Sequence, residues 1–335
     1  MRQPLFRNRS GACEQIVFAM AHLRWEERLP VRKAFVTGAS GFVGARVVRR
    51  LLADGCDVAV LATPNNPMQR LDDLVREIQV WRGDLASPSS YRPPLVAWKP
   101  DVCIHCAWYA EPGKYLADEK NLACLVQSWD LLKEVAAAGC KTAVFVGSCA
   151  EYDLSQGFLR VDSPTQPDTI YGAAKLALAL TGAELAKQLD IQFIWARLFY
   201  LYGPGEDERR MVPAVIRALS AEKTFAATSG EQVRDYLHVD DVAAALSTLA
   251  HSGTPGTYNV CSGIPITVRS LMETIGGLLS RTQLIEFGKI PYRGWEPPFV
   301  CGDPQKLQAL GWRPQIPLHD GLRQTISWWT QRDTR

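Results

Sequence analysis

The sequence predicts an α/β protein: a doubly wound parallel sheet with helices on both faces and a smaller C-terminal α+β lobe. Three observations predict it. Short apolar strands alternate with helical segments from Lys33 to Arg197. Three spaced glycines, Gly38, Gly41 and Gly44, join the first strand to the first helix. The 335 residues are 47% hydrophobic and 21% charged, which provides a large core and argues against disorder.

Residues 1–30 read as an N-terminal extension. Their apolar stretch, Ile16 to Ala21, is too short and too closely flanked by Glu14 and His22 for a secretory signal. Lys33 to Thr37 is the first strand, followed by an amphipathic helix from Phe42 to Ala53. Asp57 to Ala62 is a second buried strand, Glu77 to Trp81 a third and Val102 to Cys106 a fourth. A helix is expected from about Leu116 to Ala138, a fifth strand from Thr142 to Gly147, and a strong helix from Tyr171 to Leu189. Ile191 to Arg197 is the sixth strand. These units place a dinucleotide-binding domain over residues 31–200. Pro, Gly and Trp then become frequent. The helical segments Met211 to Leu219, Asp240 to Ala250, Thr267 to Leu279 and Leu318 to Arg332 belong mainly to a substrate lobe over 201–335, with some segments returning to the first domain.

Lys plus Arg is 37 and Asp plus Glu 35, so the balance gives no reason to expect nucleic acid or an anionic membrane as partner. No apolar run approaches the roughly 20 residues of a membrane helix. Nine cysteines without a paired framework read as reduced thiols of a cytoplasmic protein. Cys103 and Cys106 lie an odd number of residues apart on a strand and face opposite sides, so no metal site is expected there.

The glycines carry the first chemical signal. Gly38 permits a tight turn, Gly41 lets the backbone approach a pyrophosphate, and Gly44 lets helix pack on strand. The helix N-terminus offers N–H groups and a positive dipole end to phosphates. NAD sites usually place an acidic residue after the second strand. Here Ala62-Thr63-Pro64-Asn65-Asn66 has none, and Arg46 or Arg70 is available to face a 2′-phosphate, so NADP is favoured over NAD. Asp84, after the third strand, suits an adenine amino group or a simple turn. Tyr171 and Lys175 are spaced i, i+4 on one helix face. A nearby ammonium favours a phenolate, which makes the tyrosine a usable acid or base. Ser148, at the end of the fifth strand, reaches the same edge of the sheet and is suited to bond the reacting oxygen.

The glycine triplet, Asp84-Leu85, His105-Cys-Ala107, Ser148, Tyr171-x-x-x-Lys175, Tyr202-Gly-Pro204, Arg234 to Asp241 and Arg293-Gly-Trp-Glu296 occur in one order. That order resembles the extended short-chain dehydrogenase/reductases, in their nucleotide-sugar epimerase/dehydratase branch, over about residues 33–330. The resemblance implies a Rossmann-type fold with Ser148, Tyr171 and Lys175 as catalytic triad. It implies cofactor contacts from Gly38, Ser40, Gly41, Phe42, Val43, Asp84, Leu85, Ala107, Tyr171 and Lys175. Asn121, Arg234 and Arg293 are implied at the substrate, the two arginines on its diphosphate; Cys149, beside Ser148, either reaches the substrate pocket or is a simple buried thiol. Trp108, Tyr109, Lys114 and Tyr115 fall where such proteins build a substrate lid. A homodimer is implied through the Leu122–Ala138 and Tyr171–Leu189 helices.

Two departures narrow the expected chemistry. The 4,6-dehydratases of the branch carry acidic chemistry just after the catalytic Ser or Thr, and here those positions are Cys149-Ala150. Glu151 is expected to face away if the strand continues. The asparagine usual before the Tyr-Gly-Pro turn is Tyr200. The expectation is a 4-ketoreductase of a nucleotide-linked sugar. A 4-epimerase with retained NAD, or a non-catalytic dinucleotide-binding protein, stands as the alternative.

Overall fold

The structure is a computed structural model that describes residues 31–292, 294 and 296–333. The extension expected over 1–30 and the substrate residue Arg293 lie outside the described residues.

The strands and helices follow in order. β1 is Lys33–Thr37, α1 Phe42–Ala53, β2 Asp57–Ala62, β3 Gln79–Arg82, α2 Arg92–Trp98, β4 Val102–His105 and α3 Lys120–Ala137. β5 is Thr142–Ser148, β6 Phe158–Leu159, α4 Ile170–Gln188, β7 Gln192–Leu198 and β8 Tyr200–Tyr202. Then come α5 Met211–Ser220, β9 Phe225–Ala226, β10 Val233–His238, α6 Val239–Ser252, β11 Gly256–Val260 and β12 Pro265–Thr267. The chain closes with α7 Val268–Leu278, β13 Ile285–Glu286, β14 Cys301–Gly302, α8 Gln305–Gln308 and α9 Leu318–Asp333.

Seven strands form the central sheet in the order β11-β7-β5-β4-β1-β2-β3, every pair parallel. The chain winds outward from β1 to β3, then returns to β4 on the other side of β1. The order therefore reverses between β1 and β4, where open sheets of this kind hold their ligands. On one face Phe35, Phe145, Phe193 and Trp195 of the strands pack with Leu131, Leu132 and Leu178 of α3 and α4. On the other, α1 lies against α6. α1 buries Gly44, Val47, Val48 and Leu51, one stripe at helical spacing.

The second lobe has a three-stranded sheet, β12-β10-β8, backed by α5, α7 and α9. Residues 239–260 belong to the first layer in space: α6 covers the sheet and β11 is its seventh strand.

Local chemistry explains the positions of the site elements. Thr169 Oγ1 accepts from the Gly172 amide and starts α4 at Ile170. α4 sits so close to the residues after β5 that a Cβ on Gly172 would collide with the Ala150 carbonyl. That approach carries Lys175 under the sheet edge. The helix expected from Leu116 starts at Lys120 instead, because the Asp118 carboxylate takes the Lys120 amide and closes a turn before it.

Candidate active site

The carboxyl ends of β1 and β4 and the N-terminus of α1 form a cradle. Gly38 has φ +70°, and a Cβ there would lie 2.6 Å from the Ala107 amide nitrogen. Gly44 is buried against Gly38. Gly41 caps α1 with no side-chain bond and no acidic residue in the first turn. A positive helix end without a side-chain cap fits a phosphate. Ser40, Gly41, Phe42 and Val43 are half-buried around it. Leu85 packs on the main core.

Asp84 is exposed, and its Oδ1 accepts from the Ala86 amide at 2.9 Å, so the Gly-Asp pair does form a turn. Arg46 and Arg70 are not free cations reaching for a phosphate. Arg46 donates to the Pro204 carbonyl and lies 3.3 Å from Asp240. Arg70 donates to the carbonyls of Gly205 and Ser40. They tie the glycine turn to the Tyr202-Gly-Pro-Gly loop. Arg82, which the sequence did not single out, bonds the Asn66 carbonyl at 2.7 Å beside them.

Ser148 ends β5, Tyr171 lies in the first turn of α4 and Lys175 one turn further on. Burial pushes the Tyr171 phenol well above the usual tyrosine value, and the neighbouring Ser148 hydroxyl works against that shift. The expected lowering by Lys175 is not among the causes of this shift, and the lysine is engaged elsewhere. Its Nζ donates to the Val146 carbonyl at 2.6 Å and lies 3.7 Å from the centroid of the Trp108 ring. Burial lowers its pKa to about 7, with Glu151 pulling upward.

Glu151 departs from expectation. β5 stops at Ser148 and residues Cys149–Glu151 form a short 3₁₀ turn. The turn swings the carboxylate under the sheet. There it accepts from the Ser148 amide at 2.7 Å, from Trp195 Nε1 at 2.9 Å and from Arg197 Nε at 2.7 Å. Burial pushes this carboxyl up, and the Arg197 guanidinium and the donors around it pull it down. It is part of the scaffold.

His105 is fully buried between Thr37 Oγ1, 2.6 Å from Nδ1, and Ser128 Oγ, 2.8 Å from Nε2. Ser128 donates its own proton to the Cys124 carbonyl, so Nε2 carries the imidazole hydrogen and Nδ1 accepts. Burial, with the Lys175 charge adding, holds His105 down at about 3.

Three residues expected at the substrate are held by the protein itself. Asn121 is fully buried; its Oδ1 accepts from Trp108 Nε1 and its amide donates to the Tyr115 and Asp118 carbonyls. Cys149 packs with Tyr152, Leu159, Phe199 and Val300, and burial raises its thiol to about 12. Arg234 is buried, its guanidinium over Tyr200 and 2.9 Å from the Glu296 carboxylate. Cys103 and Cys106 are free thiols that burial pushes up. Among the described residues no cluster of His, Cys, Asp or Glu is placed to hold a metal ion.

Sequence reasoning missed Glu206 and Arg210. Glu206 follows the Tyr-Gly-Pro-Gly turn; its Oε2 is buried without a hydrogen-bond partner, and burial raises its pKa to about 8. Arg210 lies over Tyr115, whose ring meets Tyr171 edge-on at 4.9 Å. The signal available was proximity to the turn at 202–205, which marks the lobe facing the sheet edge.

A parallel sheet with a glycine cradle at its reversal point and a Ser/Tyr/Lys edge defines an extended short-chain dehydrogenase/reductase. Residues 34–261 match the NAD dependent epimerase/dehydratase family, and the chain is an enzyme of that family. A dTDP-6-deoxy-L-talose 4-dehydrogenase (NAD(+)) of Aggregatibacter actinomycetemcomitans is 25% identical over 71% of this chain and 87% of its own. A CDP-abequose synthase of Salmonella typhimurium is 29% identical over 87% and 96%. The crystal structure of a Thermus thermophilus UDP-glucose 4-epimerase in complex with NAD shares the fold, at TM-score 0.78 and 24% identity over 89% and 99%. Among the described residues no helix is long and apolar enough to cross a membrane.

Proposed function

We propose that this enzyme reduces the 4-keto group of a nucleotide-linked sugar with a nicotinamide dinucleotide. One observation carries the reading. The catalytic edge holds a protonated tyrosine and no free carboxylate beside it: Cys149 is buried, Ala150 is inert, and Glu151 is committed to Arg197, Trp195 and Ser148. Elimination of water needs an acid–base pair there. Reduction of a ketone needs only a hydride and one proton donor.

A bound nicotinamide dinucleotide supplies the hydride. Gly38, Gly41 and the first turn of α1 would hold its pyrophosphate, with Ser40, Phe42 and Val43 around it. Asp84, Leu85 and Ala107 border the same crevice. With no acidic residue after β2 to take a ribose 2′-hydroxyl, the cradle is proposed to take NADP rather than NAD. Ser148 holds the ketone oxygen and orients it. Tyr171, its phenol protonated at neutral pH, donates the proton to that oxygen as the hydride reaches the carbon. Lys175, one helical turn away with its pKa lowered by burial to about 7, eases the phenolate that remains to the extent that it is protonated. Arg234, steadied by Glu296, faces the substrate's diphosphate; Arg293 is proposed beside it.

The relative named above as a 4-dehydrogenase supports hydride transfer at the sugar's C4, and the UDP-glucose 4-epimerase supports the alternative of epimerisation. Stoichiometry separates them. With a 4-keto sugar nucleotide, one NADPH disappears per product. Interconversion of two 4-hydroxy sugars with no net loss of nicotinamide absorbance would replace the reductase reading with an epimerase. We also propose a homodimer: Leu122 and Val126 on α3 and Leu180 on α4, 51%, 52% and 62% exposed, form an apolar face on adjoining helices.

A further inference from the structure

We propose that Trp108 is a positioning residue for Lys175: its indole face holds the ammonium in place, and Asn121 holds the indole. The inference rests on the assignment of Lys175 to the catalytic set.

An ammonium has three N–H donors and no acceptor. The Val146 carbonyl takes one, at 2.6 Å. The Trp108 ring centroid lies 3.7 Å from the nitrogen, and the Trp195 ring stands behind at 5.9 Å. An aromatic face attracts a desolvated cation through its quadrupole, and indole does so best. The other groups near the nitrogen supply no free anion. His105 at the end of β4, Cys106 just after it and Tyr171 on α4 are neutral at pH 7, each shifted by burial, and the Cys124 sulfur on α3 accepts from the Tyr109 amide. Among the described residues Glu151 is the carboxylate that acts on the lysine, and its oxygens already serve Ser148, Trp195 and Arg197. The indole is therefore the lysine's principal added support.

The indole itself is fixed. Its Nε1 donates to Asn121 Oδ1 at 2.7 Å. The Asn121 amide donates to the Tyr115 carbonyl at 2.6 Å and the Asp118 carbonyl at 2.7 Å. Trp108 and Tyr115 both meet the Tyr171 ring edge-on, at 6.4 and 4.9 Å between centroids. One chain of contacts thus runs from the loop through Asn121 and Trp108 to both members of the Tyr/Lys pair. A fully buried asparagine with every polar side-chain atom satisfied by the protein suits this supporting task.

The test reads Lys175 directly and needs no substrate. Lysines labelled with ¹³C at Cε are titrated by NMR in the full chain, with Lys175→Met to assign the signal. Wild type is compared with Trp108→Leu and Trp108→Phe. Losing the aromatic face is expected to lower the Lys175 midpoint by about one unit in Trp108→Leu, while Trp108→Phe stays nearer wild type than Leu does. In turnover, Trp108→Leu is expected to lower kcat about tenfold with KM for the sugar nucleotide little changed, and to move the basic limb of the pH profile to lower pH. Should Trp108→Leu not fold, Trp108→Met reads the same difference. An unchanged Lys175 midpoint without the ring, or a fall in Trp108→Phe as large as in Trp108→Leu, would overturn the proposal. The NMR result stands whatever sugar the enzyme acts on.

Discussion

Burial and one serine hydroxyl set the state of Tyr171, and its raised pKa makes it a proton donor before it is a base. Tyr171→Phe removes the donor and keeps the ring contacts with Tyr115 and Trp108. It is expected to lower kcat by about 10²–10⁴ while melting temperature and cofactor affinity hold. Near-normal turnover would remove the tyrosine from the mechanism. His105 makes a second prediction at this scale. Its folded value of about 3 lies below the usual histidine value of 6.5. Below about pH 6.5 the unfolded imidazole takes up a proton that the folded one refuses. Stability is therefore full above that pH and falls as pH drops towards 3, by at most about 1.4 kcal/mol per unit. His238, also lowered by burial, adds in the same direction. Glu206, raised to about 8, works in the opposite sense over the same window, so urea unfolding at pH 7 and 5.5 is compared between wild type and His105→Gln; an equal pH dependence in the two would contradict the assignment of a neutral buried imidazole. The placement of Ser148 at a strand end, and of Tyr171 and Lys175 on the helix that follows, was legible because helix spacing and strand pattern carry that signal. The partners of Arg234 and Asn121 were not: Glu296 lies 62 residues from Arg234, and nothing local in the sequence announces that pairing.

At the scale of elements, periodicity was a good guide wherever one face is buried. α1 and β2 run over the residues that their apolar spacing marks, and α4 differs by one residue at each end. The 3₁₀ turn after β5 was not legible, because Cys149-Ala150-Glu151 carries no turn residue and continues a strand equally well. What ends the strand is tertiary: the Ser148 side chain and the Glu151 carboxylate cap each other's backbone, and Arg197 and Trp195 lock the acid from the next strand. That lock yields a stability prediction. Glu151→Ala leaves the Arg197 guanidinium buried without its anion and is expected to cost about 3–5 kcal/mol in chemical denaturation. Glu151→Gln, which keeps an acceptor oxygen, should cost less. A loss below about 1 kcal/mol in Glu151→Ala would show that the pair is not part of the scaffold.

For the whole molecule, the reversal of strand order between β1 and β4 brings the glycine cradle and the Ser/Tyr/Lys edge to one side of one sheet. The alternation of strands and helices announced six of these strands. The seventh, Gly256–Val260, was hidden because an edge strand preceded by Gly253 and Pro255 and opening on Gly256 reads as loop. The exposed face of α3 and α4 predicts a dimer by sedimentation, and Leu180→Glu should shift it to monomer with little change in melting temperature. A monomeric wild type would remove that proposal. The central claim is net transfer of hydride from cofactor to sugar. A nicotinamide dinucleotide deuterated at the transferred position, incubated with enzyme and a 4-keto sugar nucleotide, tests it by mass spectrometry of the product. The account predicts one deuterium per product molecule, formed about 10²–10⁴ more slowly by Tyr171→Phe; product formed at the wild-type rate without deuterium would contradict it.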